Sequence, residues 1–142
     1  MVSEKQIVPK ELSERTKEVI NSTKEAIEYL LKRVNTAPIH ELVQNLYDLQ
    51  EVTRTRRTVV IMAYILAAEK LEPKYGFMRS EEKLGRIMAE ILEYLENGIQ
   101  QICKSRVGRD ERIIRSAIAS HLEICQIQFK QLNNRNYRPL LE

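Results

Sequence analysis

Four carboxylates in the first half of the chain have the spacing of a cation site. Glu25 and Glu28 are three residues apart, and so are Asp48 and Glu51. Paired acidic residues on consecutive helices can hold Mg²⁺, because this cation prefers several carboxylate oxygens. The apolar spacing around Ile27 argues against such a site, since it places Glu25 almost opposite the expected core face. A solvated acidic face explains all four carboxylates.

Histidine and cysteine are too few and too scattered for a metal or nucleophile motif. His40, His121, Cys103 and Cys125 are the only residues of these two types, and no pair has C-x-x-C or H-x-x-x-H spacing. No glycine-rich phosphate loop or G-x-S-x-G turn is present. We therefore expect no catalytic residues, no bound metal and no cofactor, and we predict that the protein is not an enzyme.

Basic residues cluster toward the C-terminal end of the sequence. From Lys104 to Arg138 the chain carries eight basic and three acidic residues. Such a patch can neutralise phosphates and release counterions, so it predicts contact with nucleic acid. Aromatic residues are sparse there, which disfavours a stacking platform for single strands. The alternative is a solvated face or ion pairing between helices. The candidate residues are Lys104, Arg106, Arg109, Arg112, Arg135 and Arg138.

Apolar residues at helical spacing define the elements that must position these groups. They predict four helices, roughly from Pro9 to Val34, from Ile39 to Leu71, from Ser80 to Lys104 and from Glu111 to Leu132. No segment alternates with the two-residue period of a strand. The predicted fold class is all-α, a bundle of four long helices with no β domain. Asn21-Ser22, the polar residues 53–58 and Asn97-Gly98 are candidate kinks or breaks.

Length and composition limit the chain to one domain. It has 142 residues, 43% of them apolar, with four glycines and four prolines. We expect a single helical domain over residues 1–134 and a flexible tail over 135–142. The longest apolar run, residues 59–68, is too short to cross a membrane, and the polar N-terminus is not a signal peptide. These features favour a cytoplasmic protein.

The second helix is apolar all round near residues 59–68, which indicates burial on more than one side. Long helices with surplus apolar surface associate side by side. We therefore expect an interface with other protein subunits, in a homo- or hetero-oligomer. Its candidate residues are Val59, Val60, Ala63, Tyr64 and Leu66.

One stretch resembles the helical domain of GINS subunits, which are replisome scaffold proteins of archaea and eukaryotes. The likeness is carried by Leu46–Leu49, Arg54–Val60, Ala63-Tyr64 and Met78–Leu84, and it covers about residues 40–96. The family pattern is an arginine-rich start to a long apolar helix, a loop, and a helix that opens with serine or threonine and two acids. GINS subunits normally also carry a small β-rich domain, for which this sequence has no counterpart.

The resemblance implies a non-catalytic subunit that assembles through its long helices and links the replicative helicase to other fork proteins. It also implies a structural or intersubunit role for Arg54, Arg56 and Arg57. Two other functions stay open from the residues alone. One is a small basic nucleic-acid-binding protein, such as a nucleoprotein or viral coat-like bundle. The other is a Mg²⁺-dependent all-α nucleotide pyrophosphohydrolase.

Overall fold

Over the residues that the structure describes, the protein is an all-α bundle of four helices, which confirms the predicted fold class. The computed structural model describes the backbone of residues 2–70 and 76–132 and the side chains of residues 14–66 and 83–132. No strand occurs in the described backbone. The helices are α1 (Val2–Arg33), α2 (Ile39–Lys70), α3 (Gly76–Ser105) and α4 (Glu111–Leu132).

Successive helices run antiparallel and form a ring. α1 packs against α2 and α4, and α3 packs against the same two helices. α2 and α4 are therefore diagonal partners with little direct contact. The α2–α3 pair forms the most extensive contact. Two contacts fix the register of α2 against α3. Arg54 pairs with Glu96, and Tyr64 packs on Gly85.

Two helix starts differ from the prediction. α1 begins at Val2, so Pro9 lies inside the helix, although a proline favours a first helical position. α3 begins at Gly76 rather than at Ser80, which lies inside the first turns. A single residue's capping preference is a weak signal, and the helix continues through it when the neighbouring residues favour the helix. The predicted tail, residues 135–142, lies outside the described residues.

The polar interruptions within helices produce no break. Ser22 donates a hydrogen bond to the Glu18 carbonyl at 2.7 Å, and Thr58 does the same to Arg54 at 3.1 Å. This bonding to the preceding turn satisfies each hydroxyl without ending the helix. α1, α2 and α3 are therefore continuous through Asn21-Ser22, residues 53–58 and Asn97-Gly98.

The core is centred on α3, whose apolar residues at helical spacing form one buried stripe. Met88, Leu92, Leu95 and Ile99 are fully buried, and they pack with buried residues of all three other helices. Apolar spacing alone would place several further residues in the core, but the structure exposes them. They are Tyr47 and Val52 on α2 and Ile113 and Ala117 on α4.

Within the described residues, none of the helices combines the length and the apolar character needed to span a membrane.

Candidate interaction surfaces

A line of apolar side chains runs along the outside of α2. Val52, Val59 and Leu66 are seven residues apart, and each is 42–43% exposed. Seven residues are two helical turns, so these side chains share one face. The half-buried Ala63 lies on the same face. We call Val52, Val59, Ala63 and Leu66 the α2 stripe.

The structure divides the five predicted interface residues between this stripe and the interior. Val59, Ala63 and Leu66 belong to the α2 stripe, whereas Val60 is 4% exposed and part of the core. Tyr64 is half-buried and packs closely on Gly85 of α3. The approach is so close that a Cβ added to Gly85 would lie 2.8 Å from the Tyr64 Cβ. Val60 and Tyr64 thus pack within the chain and leave the outer face to their neighbours. Val52, which is not among the five predicted residues, also lies on this outer face.

A groove between α1 and α2 opens beside the stripe. It encloses about 240 Å³ and is lined mainly by apolar groups, including Tyr29 of α1 and Val52 of α2. Tyr29 is 53% exposed. The Nδ2 atom of Asn45 is buried at this groove without a hydrogen-bond partner in the described structure. The α2 stripe therefore continues into a partly apolar surface that α1 shares.

A second apolar line lies on the outside of α4. Its members follow one another at intervals of four and three residues, the spacing of a coiled-coil seam. We call this line the α4 stripe: Ile113, Ala117, Ser120, Ile124 and Ile127. The three isoleucines are 53%, 45% and 56% exposed. The seven-residue spacing is visible in the sequence. The exposed line lies beside the buried stripe of the same helix, however, so spacing alone does not separate the two.

Two arginines of the arginine-rich segment of α2 contact a buried carboxylate of α3. The Glu96 side chain of α3 is 9% exposed, and its Oε1 accepts a hydrogen bond from Arg54 Nε at 3.1 Å. Arg57 Nη1 lies 3.2 Å from Oε2, which makes an ion pair without a well-aligned hydrogen bond. Arg56 Nη1 donates instead to Thr23 of α1 at 2.8 Å. These three arginines therefore tie α2 to α3 and α1 within one chain.

A histidine corner joins α3 and α4. His121 Nε2 lies 3.1 Å from the Leu95 carbonyl, which can only accept, so Nε2 carries the proton. The ring packs over Gly98 and contacts Tyr94 with centroids 5.0 Å apart. Burial lowers the pKa of His121, an effect that the Leu95 hydrogen bond opposes. His121 therefore serves as a neutral packing group.

Both cysteines are buried thiols. Burial raises the pKa of Cys103 and raises the pKa of Cys125 to about 12. The thiolate is the reactive form, so these side chains have low reactivity near neutral pH.

The four carboxylates proposed for Mg²⁺ do not meet. Glu25 and Glu28 line a polar groove facing α4, while Asp48 lines the groove between α1 and α2. Glu51 forms an ion pair with Arg54 at 3.2 Å. Across residues 14–66 and 83–132, no three His, Cys, Asp or Glu side chains are grouped closely enough to hold a metal ion.

The predicted nucleic-acid residues lie around the turn between α3 and α4. Lys104, Arg106, Arg109 and Arg112 are all exposed. Arg135 and Arg138 fall outside the described residues. The structure thus brings the first four together at one end of the bundle.

Comparison of the chain with protein-family models, with curated proteins and with solved structures gives no match.

Proposed function

We propose that the protein is a non-catalytic helical assembly subunit that pairs with a second copy of itself through the α2 stripe. The observation that carries this proposal is the line of three half-exposed apolar side chains, Val52, Val59 and Leu66, at seven-residue spacing. Exposed apolar area on one continuous face is unfavourable in water and is relieved when another helix covers it.

The stripe is symmetric about Val59, which suits two identical chains. In an antiparallel pair of α2 helices, Val59 would face its own copy and Val52 would face Leu66 of the partner. From Val52 to Leu66 the chain advances fourteen residues, or about 21 Å of helix at 1.5 Å per residue. A twofold dimer is the commonest closed assembly, and its interface uses the same patch on both subunits.

The α4 stripe supports a bridging role. It lies on the helix diagonal to α2, so it stays outside an α2-centred dimer. A subunit with two separate apolar faces can hold a copy of itself and a further helical partner. The resemblance of residues 40–96 to GINS subunits suggests a DNA replication complex as the setting. This setting is the second and finer part of the proposal.

Sedimentation equilibrium of the purified protein across a concentration series tests the pairing. We expect a reversible dimer of twice 16.7 kDa. Val59→Glu should weaken the dimer at least about 100-fold, or about 2.8 kcal/mol, because two carboxylates would be buried on the symmetry axis.

Thr58→Glu is the matched control. Thr58 is the adjacent exposed residue, about 100° round α2 from Val59, so the same charge lies off the proposed symmetry axis and should weaken the association far less. A wild-type protein that stays monomeric at millimolar concentration would overturn the proposed self-association.

A further inference from the structure

Two turns at one end of the bundle form a single positively charged surface. Arg115 of α4 donates a hydrogen bond to the Val34 carbonyl at 2.7 Å, so the turn after α1 lies beside the turn before α4. We call residues 32–41 and 104–116 the basic end. It carries a net charge of +4, whereas the whole chain carries +3. All of the chain's excess positive charge therefore lies at this end.

The carboxylates of the basic end are already engaged. Each forms an ion pair with a basic residue of the same surface: Glu41 with Arg33 at 2.8 Å, Asp110 with Arg112 at 3.5 Å, and Glu111 with Arg115 at 3.6 Å. Asp110 also accepts a hydrogen bond from the Arg112 backbone N–H at 2.9 Å, which caps α4. None of these three carboxylates forms an ion pair with any other cation of the basic end.

Four exposed cations remain without an ion pair to any described residue: Lys32, Lys104, Arg106 and Arg109. Lys104, Arg106 and Arg109 lie at or beside the turn before α4, and Lys32 lies in the last turn of α1. Gly108 has φ +75°, a conformation that favours glycine, and the Arg109 N–H bonds to the Arg106 carbonyl at 3.2 Å. This tight turn holds Arg106 and Arg109 close together.

We propose that this end of the bundle binds the phosphate backbone of a nucleic acid through Lys32, Lys104, Arg106 and Arg109. Exposed cations that lack carboxylate partners can neutralise phosphates and release condensed counterions. Within the basic end, Val107 and Ile113 are the large apolar side chains that are exposed. Two such side chains on a surface of net charge +4 give little apolar area to insert into a bilayer, which favours a nucleic acid over a membrane surface.

The proposed binding depends on the charge of the nucleic acid and not on its base sequence. Backbone contacts fix position on the strand but carry no base information. None of the four cations belongs to the α2 stripe, so the inference is independent of the proposed assembly. With four phosphate contacts, affinity for a duplex should fall about 150-fold between 50 and 200 mM salt, from a log–log slope of about −3.6.

Fluorescence anisotropy with labelled duplexes of two unrelated sequences, and with a single strand, tests this proposal over a salt series. Lys104→Gln combined with Arg109→Gln should halve the slope, so that the same salt change costs about 12-fold in affinity. Lys17→Gln combined with Lys130→Gln is the matched control. It removes the same charge from exposed residues toward the other end of the bundle, and it should leave the slope unchanged.

Two results would overturn the proposal. One is the absence of binding to duplex and single strand at 50 mM salt. The other is an equal loss of affinity in both double variants, which would make binding a property of net charge. Vesicles containing anionic lipid serve as a competitor. If they capture the wild-type protein while the nucleic acids do not, the basic end is a membrane surface instead.

Discussion

At the scale of single residues, the contact between Gly98 and His121 determines how closely α3 and α4 approach. A Cβ on Gly98 would overlap the imidazole ring, so the absence of a side chain at this position is a packing requirement. Asn97-Gly98 looked like a helix stop in the sequence because glycine is a poor helix former. The structure shows instead that Gly98 makes room for the ring of His121, 23 residues further along the chain.

Gly98→Ala should therefore lower stability, although the same change in an exposed helix raises it by about 1 kcal/mol. We expect a loss of about 1–3 kcal/mol in the free energy of unfolding, because the new methyl group has to displace the ring. Urea unfolding measures it. In a His121→Ala background the overlap is gone, so Gly98→Ala should become neutral or stabilising. A loss of the same size in both backgrounds would show that the ring is not the cause.

His121 also predicts a pH dependence. Its pKa in the folded protein is lowered by burial, so the unfolded chain binds the proton more readily. The contribution of His121 is complete above the unfolded pKa of about 6.5 and is lost as pH falls below it. Unfolding free energies between pH 5 and 7 should fall less steeply toward low pH in His121→Gln than in the wild type.

His40→Gln is the matched control, since it replaces an imidazole at an exposed position. Equal slopes for His121→Gln and the wild type would mean that His121 is not the titrating group.

At the scale of helices, the buried Glu96 fixes the register between α2 and α3. Arg54 and Arg57 approach it from one helix, and shifting that helix by one residue would separate the charges. A buried polar contact that only one register satisfies is a known device for specifying how helices pair. Spacing along the sequence cannot reveal such a contact, because Glu96 lies 42 residues from Arg54.

Glu96→Ala should lower the free energy of unfolding by about 2 kcal/mol. It leaves the half-buried Arg57 without its partner, and the partial exposure of Arg54 keeps the loss below that of a fully buried pair. Glu93→Ala, at an exposed position of the same helix, should change stability by less than about 0.5 kcal/mol. Urea unfolding of the two variants measures the two losses of stability. Similar losses would contradict the role of Glu96 in fixing the register between α2 and α3.

The helices also show where sequence periodicity is sufficient and where it fails. α3 has a single apolar stripe, so its buried face followed directly from the spacing. Residues 59–66 of α2 are apolar at almost every position, so periodicity could not separate the inward Val60 from the outward Val59. α4 carries two neighbouring stripes, and spacing alone could not show that Ile113 and Ala117 belong to the exposed one.

At the scale of the whole molecule, the bundle separates its surfaces by chemistry. The α2 stripe and the α4 stripe are apolar, whereas the turns at one end concentrate the positive charge. The basic cluster was visible in the sequence from Lys104 onward. The contribution of Lys32 was not, because it depends on the fold bringing the end of α1 to the start of α4.

Cross-linking through a single new thiol tests the proposed pairing of α2 most directly. The native thiols suit this experiment, since burial raises the pKa of both and leaves them poorly reactive near neutral pH. Val59→Cys, treated with a short bismaleimide at a concentration at which the wild-type protein sediments as a dimer, should give a covalent dimer of twice 16.7 kDa. Thr58→Cys, the adjacent exposed position on another side of the helix, should give little. Equal yields from the two variants, or no dimer from either, would contradict an interface centred on Val59.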